Sequence, residues 1–120
     1  MDDKSKAFLQ LITELDSEKL KFSPHYYVRK ATRGVGEGII EDFVFNRLKD
    51  LKYVQEDVNK NNYPRYKAYY QYSKKKVLVI VMDFDTSGFL TVVTYFIMDS
   101  KKQLEAIRNA RKYAKIANRL

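Results

Sequence analysis

The stretch VLVIVMDFDTSGFLTVVTYFI, residues 77–97, decides the fold. Two runs rich in Val, Ile, Phe and Thr, residues 77–84 and 89–97, flank the turn-type sequence DTSG at residues 85–88. Because β-branched and aromatic residues favour strands and the joint is of hairpin size, the two runs are predicted to be antiparallel neighbours. The first run is apolar on both alternating faces until its end, which is typical of a central strand covered on both sides.

The elements on either side of this hairpin complete an α+β pattern. Residues 66–72 predict a third strand, joined to the first run by a hairpin-sized connection, and residues 53–58 predict a short edge strand. Apolar stripes at three- and four-residue spacing predict helices, and Ser23 followed by Pro24 is a helix start signal. The predicted helices cover residues 3–20, 24–32, 37–51 and 100–118.

The predicted fold class is α+β, with N-terminal helices followed by a three- to four-stranded antiparallel sheet and a C-terminal helix. A length of 120 residues suits one domain. Within it we expect a helical extension at residues 1–20, a core at residues 21–97 and a basic helix at residues 98–120. The N-terminal helices should cover one face of the sheet, and the last helix or a second protein should cover the other.

Composition and charge narrow the function classes. The chain has no cysteine, which excludes disulfides and thiolate zinc sites and fits a cytoplasmic protein. The acidic N-terminus does not resemble a signal peptide, and no apolar run reaches the length of a membrane span. The net charge is +8, and residues 101–120 alone carry seven basic side chains against one acidic. A basic balance favours a polyanionic partner, either nucleic acid or an anionic membrane surface. Of these we expect RNA and no membrane.

Three side chains at four-residue steps stand out as candidates for chemistry. His25, the only histidine, is followed by Arg29 and Arg33, and residues four apart share one helix face. RNA cleavage without a metal needs a proton carrier and cations that stabilise a negatively charged transition state. Imidazole and guanidinium groups supply both, so no cofactor is required.

Other basic and acidic residues leave alternatives open. Lys67 on the tyrosine-rich predicted strand is a candidate phosphate contact. The predicted C-terminal helix adds four more such candidates: Arg108, Arg111, Lys112 and Lys115. Asp83 and Asp85 lie two apart at a strand end, where they would serve either a metal-dependent nuclease or an ordinary hairpin turn. A non-catalytic nucleic-acid-binding or assembly protein is a further alternative.

The order of these motifs resembles a known superfamily. The pattern F-S-x-H-x-x-x-R-x-x-x-R-G-V at residues 22–35, then a helix, then three strands ending in LTVVT at residues 90–94, is similar to RelE-like toxins, notably the BrnT type. The resemblance covers about residues 21–97. It implies a ribonuclease toxin acting on RNA, with ribosome association in some members and inhibition by a cognate antitoxin. The extensions at both ends could mediate a homodimer.

The resemblance also assigns site residues. It matches His25, Arg29 and Arg33 to the helix motif of the family and Thr94 to its last-strand threonine. In such folds, site residues also often lie on the strands. Arg65 and Tyr70 of this chain occupy positions of that kind. These six residues form the predicted catalytic set.

Overall fold

The computed structural model describes residues 3–101, 108 and 109, and these residues form an α+β fold. Its helices are α1 (Asp3–Glu14), α2 (Pro24–Arg33) and α3 (Glu37–Asn46), with short 3₁₀ turns at Ser17–Lys19 and Leu48–Asp50. Its strands are β1 (Leu20–Phe22), β2 (Leu51–Val58), β3 (Pro64–Gln71), β4 (Lys76–Phe84) and β5 (Leu90–Asp99). The α+β class is confirmed.

The five described strands form one mixed sheet in the order β1-β5-β4-β3-β2. The pairs β2–β3, β3–β4 and β4–β5 are antiparallel, which confirms the two predicted hairpins and the edge position of β2. The prediction of a purely antiparallel sheet of three or four strands is wrong, because β1 pairs in parallel with β5, with Leu20 opposite Leu90. Leu20 also fits the apolar stripe of the helix predicted at residues 3–20. The strand that begins at Leu20 was therefore not predicted.

Helix boundaries also differ from those predicted. The first helix ends at Glu14, because Asp16 caps a separate 3₁₀ turn by accepting a hydrogen bond from the backbone of Glu18 at 3.1 Å. The third helix ends at Asn46 rather than near residue 51. The predicted C-terminal helix falls mostly outside the described residues.

The main core lies between the helices and one face of the sheet. Phe8 and Ile12 of α1 pack there with residues from α2, α3 and the strands. Strand β4 contributes apolar side chains to both faces of the sheet. Leu78 and Ile80 belong to this core, whereas Val77 and Val79 belong to a second apolar cluster. The central position predicted for this strand is therefore confirmed, as is the cover of one face by the N-terminal helices.

Helix α2 is anchored to the sheet at its first residue. The Ser23 side chain accepts a hydrogen bond from the backbone of Tyr26 at 3.1 Å, as an N-cap does, and donates to the carbonyl of Val93 at 2.7 Å. The Ser23 backbone N–H also donates to the carbonyl of Val92 at 2.9 Å. Gly34 ends the helix in the left-handed region, with φ of 75°. The start of α2 is thus fixed beside the middle of β5.

Candidate nucleic-acid interface along helix α2 and strand β5

Helix α2 lies along the part of β5 that β1 leaves unpaired. The register pairs β1 with residues 90–92 of β5 only. Ser23 then binds the backbone at Val93, and ten residues later the Arg33 guanidinium donates to the carbonyl of Tyr95. Both ends of α2 therefore contact β5 beyond the residues that pair with β1.

The basic residues of α2 occupy the side that borders this edge. His25, Arg29 and Arg33 fall within about 80° of one another around the helix axis. Arg33 contacts β5, and Arg29 and His25 continue the stripe toward the start of the helix. His25 is exposed and Arg29 is half-buried, and the side chain of neither makes a hydrogen bond or an ion pair within the described part of the chain. Their charge and hydrogen-bonding capacity are available to a ligand.

Two buried tyrosines hold the end of α2 against the strand. The Tyr26 hydroxyl donates to the carbonyl of Val35 at 2.8 Å, and the Val35 N–H donates to the Tyr95 hydroxyl at 3.0 Å. Their ring centroids are 5.5 Å apart. Burial, reinforced by the nearby Glu37 carboxylate, raises the pKa of Tyr26 to about 12, so it remains a neutral donor. Sequence reasoning missed this clamp, because no local pattern links Tyr26 to residue 95.

Thr94 belongs to the same edge but to the other face of the sheet. It lies opposite Val81 in the register, whereas the next residue, Tyr95, packs in the main core. The Thr94 Oγ1 is buried and has no hydrogen-bond partner. A cavity of about 270 Å³, lined by Arg33, Phe96 and Ile97, lies farther along the strand. The structure thus brings the helix motif to the strand that carries Thr94.

Tyr70 does not join this edge, and the structure corrects its predicted role. Its side chain is fully buried in the main core, where its ring meets that of Phe43 at 5.6 Å. Its hydroxyl has no hydrogen-bond partner, and burial raises its pKa. The prediction of a catalytic Tyr70 fails on access, because neither solvent nor a substrate reaches a phenol at this depth.

Arg65 is on the opposite face of β3 and is already paired. Its guanidinium donates two hydrogen bonds to Asp83, Nε to Oδ1 at 2.7 Å and Nη2 to Oδ2 at 2.9 Å. Asn59 donates a third to Asp83 at 3.0 Å. Partial burial opposes ionisation of Asp83, but these hydrogen bonds outweigh it and lower the pKa of the carboxyl. Arg65 therefore does not meet the α2 stripe, from which two strand spacings separate it.

Asp85 is a turn residue. Its Oδ1 accepts hydrogen bonds from the Ser87 hydroxyl at 2.8 Å, the Ser87 N–H at 3.0 Å and the Phe89 N–H at 3.1 Å. These bonds, the Ser87 hydroxyl first, lower the pKa of Asp85. The turn interpretation is confirmed for Asp85 only, because Asp83 lies within β4 and pairs with Arg65. Among residues 3–101, 108 and 109, no group of three or more His, Cys, Asp or Glu side chains could hold a metal ion.

The remaining candidates are spread over the molecule. Lys67 lies on β3 opposite Val81, which in turn pairs with Thr94, so all three share one row of the sheet. Arg108 is helical and exposed. Three further candidates lie outside the described residues: Arg111, Lys112 and Lys115.

No protein-family model matches the chain, and no curated protein or solved structure is significantly similar to it. The RelE-like resemblance therefore remains a prediction that rests on the motif alone. No helix in the described ranges is both long and apolar enough to cross a bilayer.

Proposed function

We propose that the chain binds RNA along the edge formed by α2 and β5. The observation that carries the proposal is the stripe of His25, Arg29 and Arg33, in which Arg33 bonds to the carbonyl of Tyr95 and the side chains of His25 and Arg29 have no partner among the described residues. Guanidinium groups bind phosphate oxygens in a planar, two-pronged geometry. A half-buried guanidinium beside a rigid strand edge loses less side-chain freedom on binding than one on a loop.

The local charge supports a polyanionic ligand. Residues 19–36 contain no Asp or Glu. They contain five Lys or Arg side chains, which are Lys19, Lys21, Arg29, Lys30 and Arg33. Lys30 pairs with Glu37 at 3.0 Å, so this pair is neutral, and the other four cations of the segment keep the surface net positive. A phosphate backbone would meet cations here and no carboxylate of the same segment.

Binding to labelled single-stranded RNA tests the proposal. Arg29→Gln keeps a polar side chain of similar length but removes one cation, and we expect it to weaken binding about fivefold at about 0.1 M salt. Lys74→Gln, in the β3–β4 hairpin, is the matched control because it removes the same charge from a turn that does not belong to α2 or β5, and it should leave affinity nearly unchanged. Equal losses from both variants would mean that the protein attracts RNA only through its overall charge.

Metal-independent RNA cleavage at the same edge is a second candidate function. The observation that favours it is that the exposed, unpartnered His25 lies one helical turn from Arg29. Neutral imidazole would accept the proton of the ribose 2′-hydroxyl as this oxygen attacks the adjacent phosphorus. The 5′-oxygen would leave with a proton from water, and guanidinium would stabilise the charge that gathers on the phosphate. A toxin-like role with an antitoxin partner belongs to this candidate.

Cleavage assays in EDTA separate the two functions. If His25 carries the proton, His25→Ala should lower the cleavage rate by about 10²- to 10⁴-fold while binding changes little. Tyr70→Phe serves as a control, because the buried Tyr70 hydroxyl cannot reach RNA and its removal should leave the rate unchanged. RNA binding without cleavage would exclude the cleavage function and retain the RNA-binding function. Cleavage that survives His25→Ala in protein free of contaminating ribonuclease would exclude His25 as the proton carrier.

A further inference from the structure

We infer that the RNA-binding surface continues from α2 onto the 3₁₀ turn and β1 that precede it, so that Lys19, Lys21, Arg29 and Arg33 form one linear track that takes a stacked single strand. This inference rests on the proposed function and names its substrate class. It adds two lysines that no motif on α2 includes. We refer to these four side chains together as the edge track.

The direction of the chain makes the track linear. Strand β1 runs parallel to β5, with Leu20 opposite Leu90 and Phe22 opposite Val92. Ser23 then binds the carbonyl of Val93, and Arg33 binds that of Tyr95. The segment from β1 through α2 therefore follows β5 in chain order along one edge of the sheet. At about 3.3 Å per residue, the span from residue 90 to residue 95 is about 17 Å.

The two lysines are positioned by an aromatic ring. The ammonium groups of Lys19 and Lys21 lie 4.5 Å and 3.6 Å from the centroid of the Phe89 ring. Both side chains are exposed, whereas Leu20 between them is buried. A cation over an aromatic face is attracted to it, which restrains both ammonium groups before a ligand arrives. The nearby Asp85 carboxylate has one oxygen engaged by Ser87 and Phe89, so it competes with a phosphate only in part.

The surroundings of the track favour a single strand over a duplex. One row of cations matches one phosphate backbone, and a span of about 17 Å corresponds to about five nucleotides at the 3.4 Å rise of a stacked strand. Outside the stripe of cations on α2, Tyr27 and Val28 are 50% and 64% exposed. An exposed aromatic and an apolar side chain suit unpaired bases rather than a second row of phosphates.

The test compares RNA lengths and strandedness. We prepare the double variant Lys19→Gln/Lys21→Gln and measure its binding to a trinucleotide, to a single strand of about ten nucleotides and to the matching duplex. At about 0.1 M salt, each lost phosphate contact should cost about fivefold in affinity for the longer strand. A trinucleotide seated on α2 should lose little. Phe89→Leu should weaken binding of the longer strand by about two- to fivefold, because it releases the lysines.

The possible results test the edge track and the proposed RNA binding at α2 separately. If the double variant binds the longer strand like wild type while Arg29→Gln weakens it, the track is wrong and RNA binding at α2 stands. If wild type prefers the duplex to the single strand, the track is also wrong. If neither Arg29→Gln nor the double variant changes affinity for any of the three RNAs, the proposed function itself fails. Lys74→Gln/Lys75→Gln in the β3–β4 hairpin is the control for net charge.

Discussion

Arg65 on β3 and Arg29 on α2 carry the same charge in different settings. Arg65 donates two hydrogen bonds to Asp83, which also accepts one from Asn59. The Arg29 side chain has no hydrogen bond or ion pair among the described residues. The charge of Arg65 therefore serves the fold, and that of Arg29 is available to a ligand. The comparison shows that a cation becomes a candidate for binding through the partners it lacks.

Sequence position alone does not separate the two arginines, since both lie near tyrosines in basic surroundings. What separates them is the antiparallel register of β3 and β4, which places Arg65 opposite Asp83. On the other edge of the sheet, β1 and α2 border β5 without contributing a carboxylate between residues 19 and 36. The predictions that follow test this division between paired and unpaired cations.

The largest effect on stability is expected from Arg65→Met. This change keeps most of the apolar stem but leaves Asp83 without its bidentate partner. The side chains of Arg65 and Asp83 are 34% and 18% exposed, so the cost should fall between that of a surface pair and that of a buried one, at about 1–2 kcal/mol in the free energy of unfolding. Urea unfolding measures it.

Lys67→Met is the matched control for this measurement. Lys67 lies on the same strand and face, and no described carboxylate pairs with it, so its removal should change the free energy of unfolding by less than about 0.5 kcal/mol. Equal destabilisation by both variants would contradict the structural role assigned to the Arg65–Asp83 pair.

Removing the hydroxyl of Tyr26 and that of Tyr70 should change stability in opposite directions. Tyr26→Phe removes a hydroxyl that donates to the carbonyl of Val35, and we expect a loss of about 1 kcal/mol in the free energy of unfolding. Tyr70→Phe removes a buried hydroxyl that has no partner, and relief of its desolvation should stabilise the protein by about 1 kcal/mol or more. Thermal unfolding of both variants side by side checks the signs. Destabilisation by Tyr70→Phe would reveal a hydrogen bond that the structure does not contain.

A smaller effect concerns pH. Because the pKa of Asp83 is lowered in the folded protein, its contribution to stability is complete above the unfolded pKa of about 3.9 and is lost as the pH falls through the folded value. The free energy of unfolding of wild type should therefore fall more steeply than that of Asp83→Asn between about pH 5 and about pH 2. Asp85 is present in both proteins, so its contribution to the pH dependence of stability is the same in both. Parallel curves of unfolding free energy against pH would show that the Arg65–Asp83 pair does not lower the pKa of Asp83.

Local patterns predicted most of the fold. Ser23 and Pro24 located the start of α2, and the turn residues at 73–76 and 85–88 located both hairpins, because these signals depend only on neighbouring residues. The parallel strand β1 escaped prediction. Three residues are too short to show a strand period, and their pairing depends on residues 90–92, far away in sequence.

The candidate site was predictable in part. The four-residue steps placed His25, Arg29 and Arg33 on one side of α2, since helix periodicity is local. On β3 the two-residue period separates Arg65 and Lys67 from Tyr70, but it does not say which set faces the core. Only the helices packed on one face decide that Tyr70 is buried. The pairing of Arg65 with Asp83 likewise depends on the register between strands.

The salt dependence of RNA binding tests the central claim most directly. We expect the slope of log affinity against log salt concentration to become shallower by about 0.7 in Arg29→Gln, because one phosphate contact with a single strand is lost. Arg65→Gln removes the same charge but an already paired one, and it should leave the slope unchanged. This result would establish the α2–β5 edge as the binding surface. An unchanged slope in Arg29→Gln together with a shallower one in Arg65→Gln would contradict it.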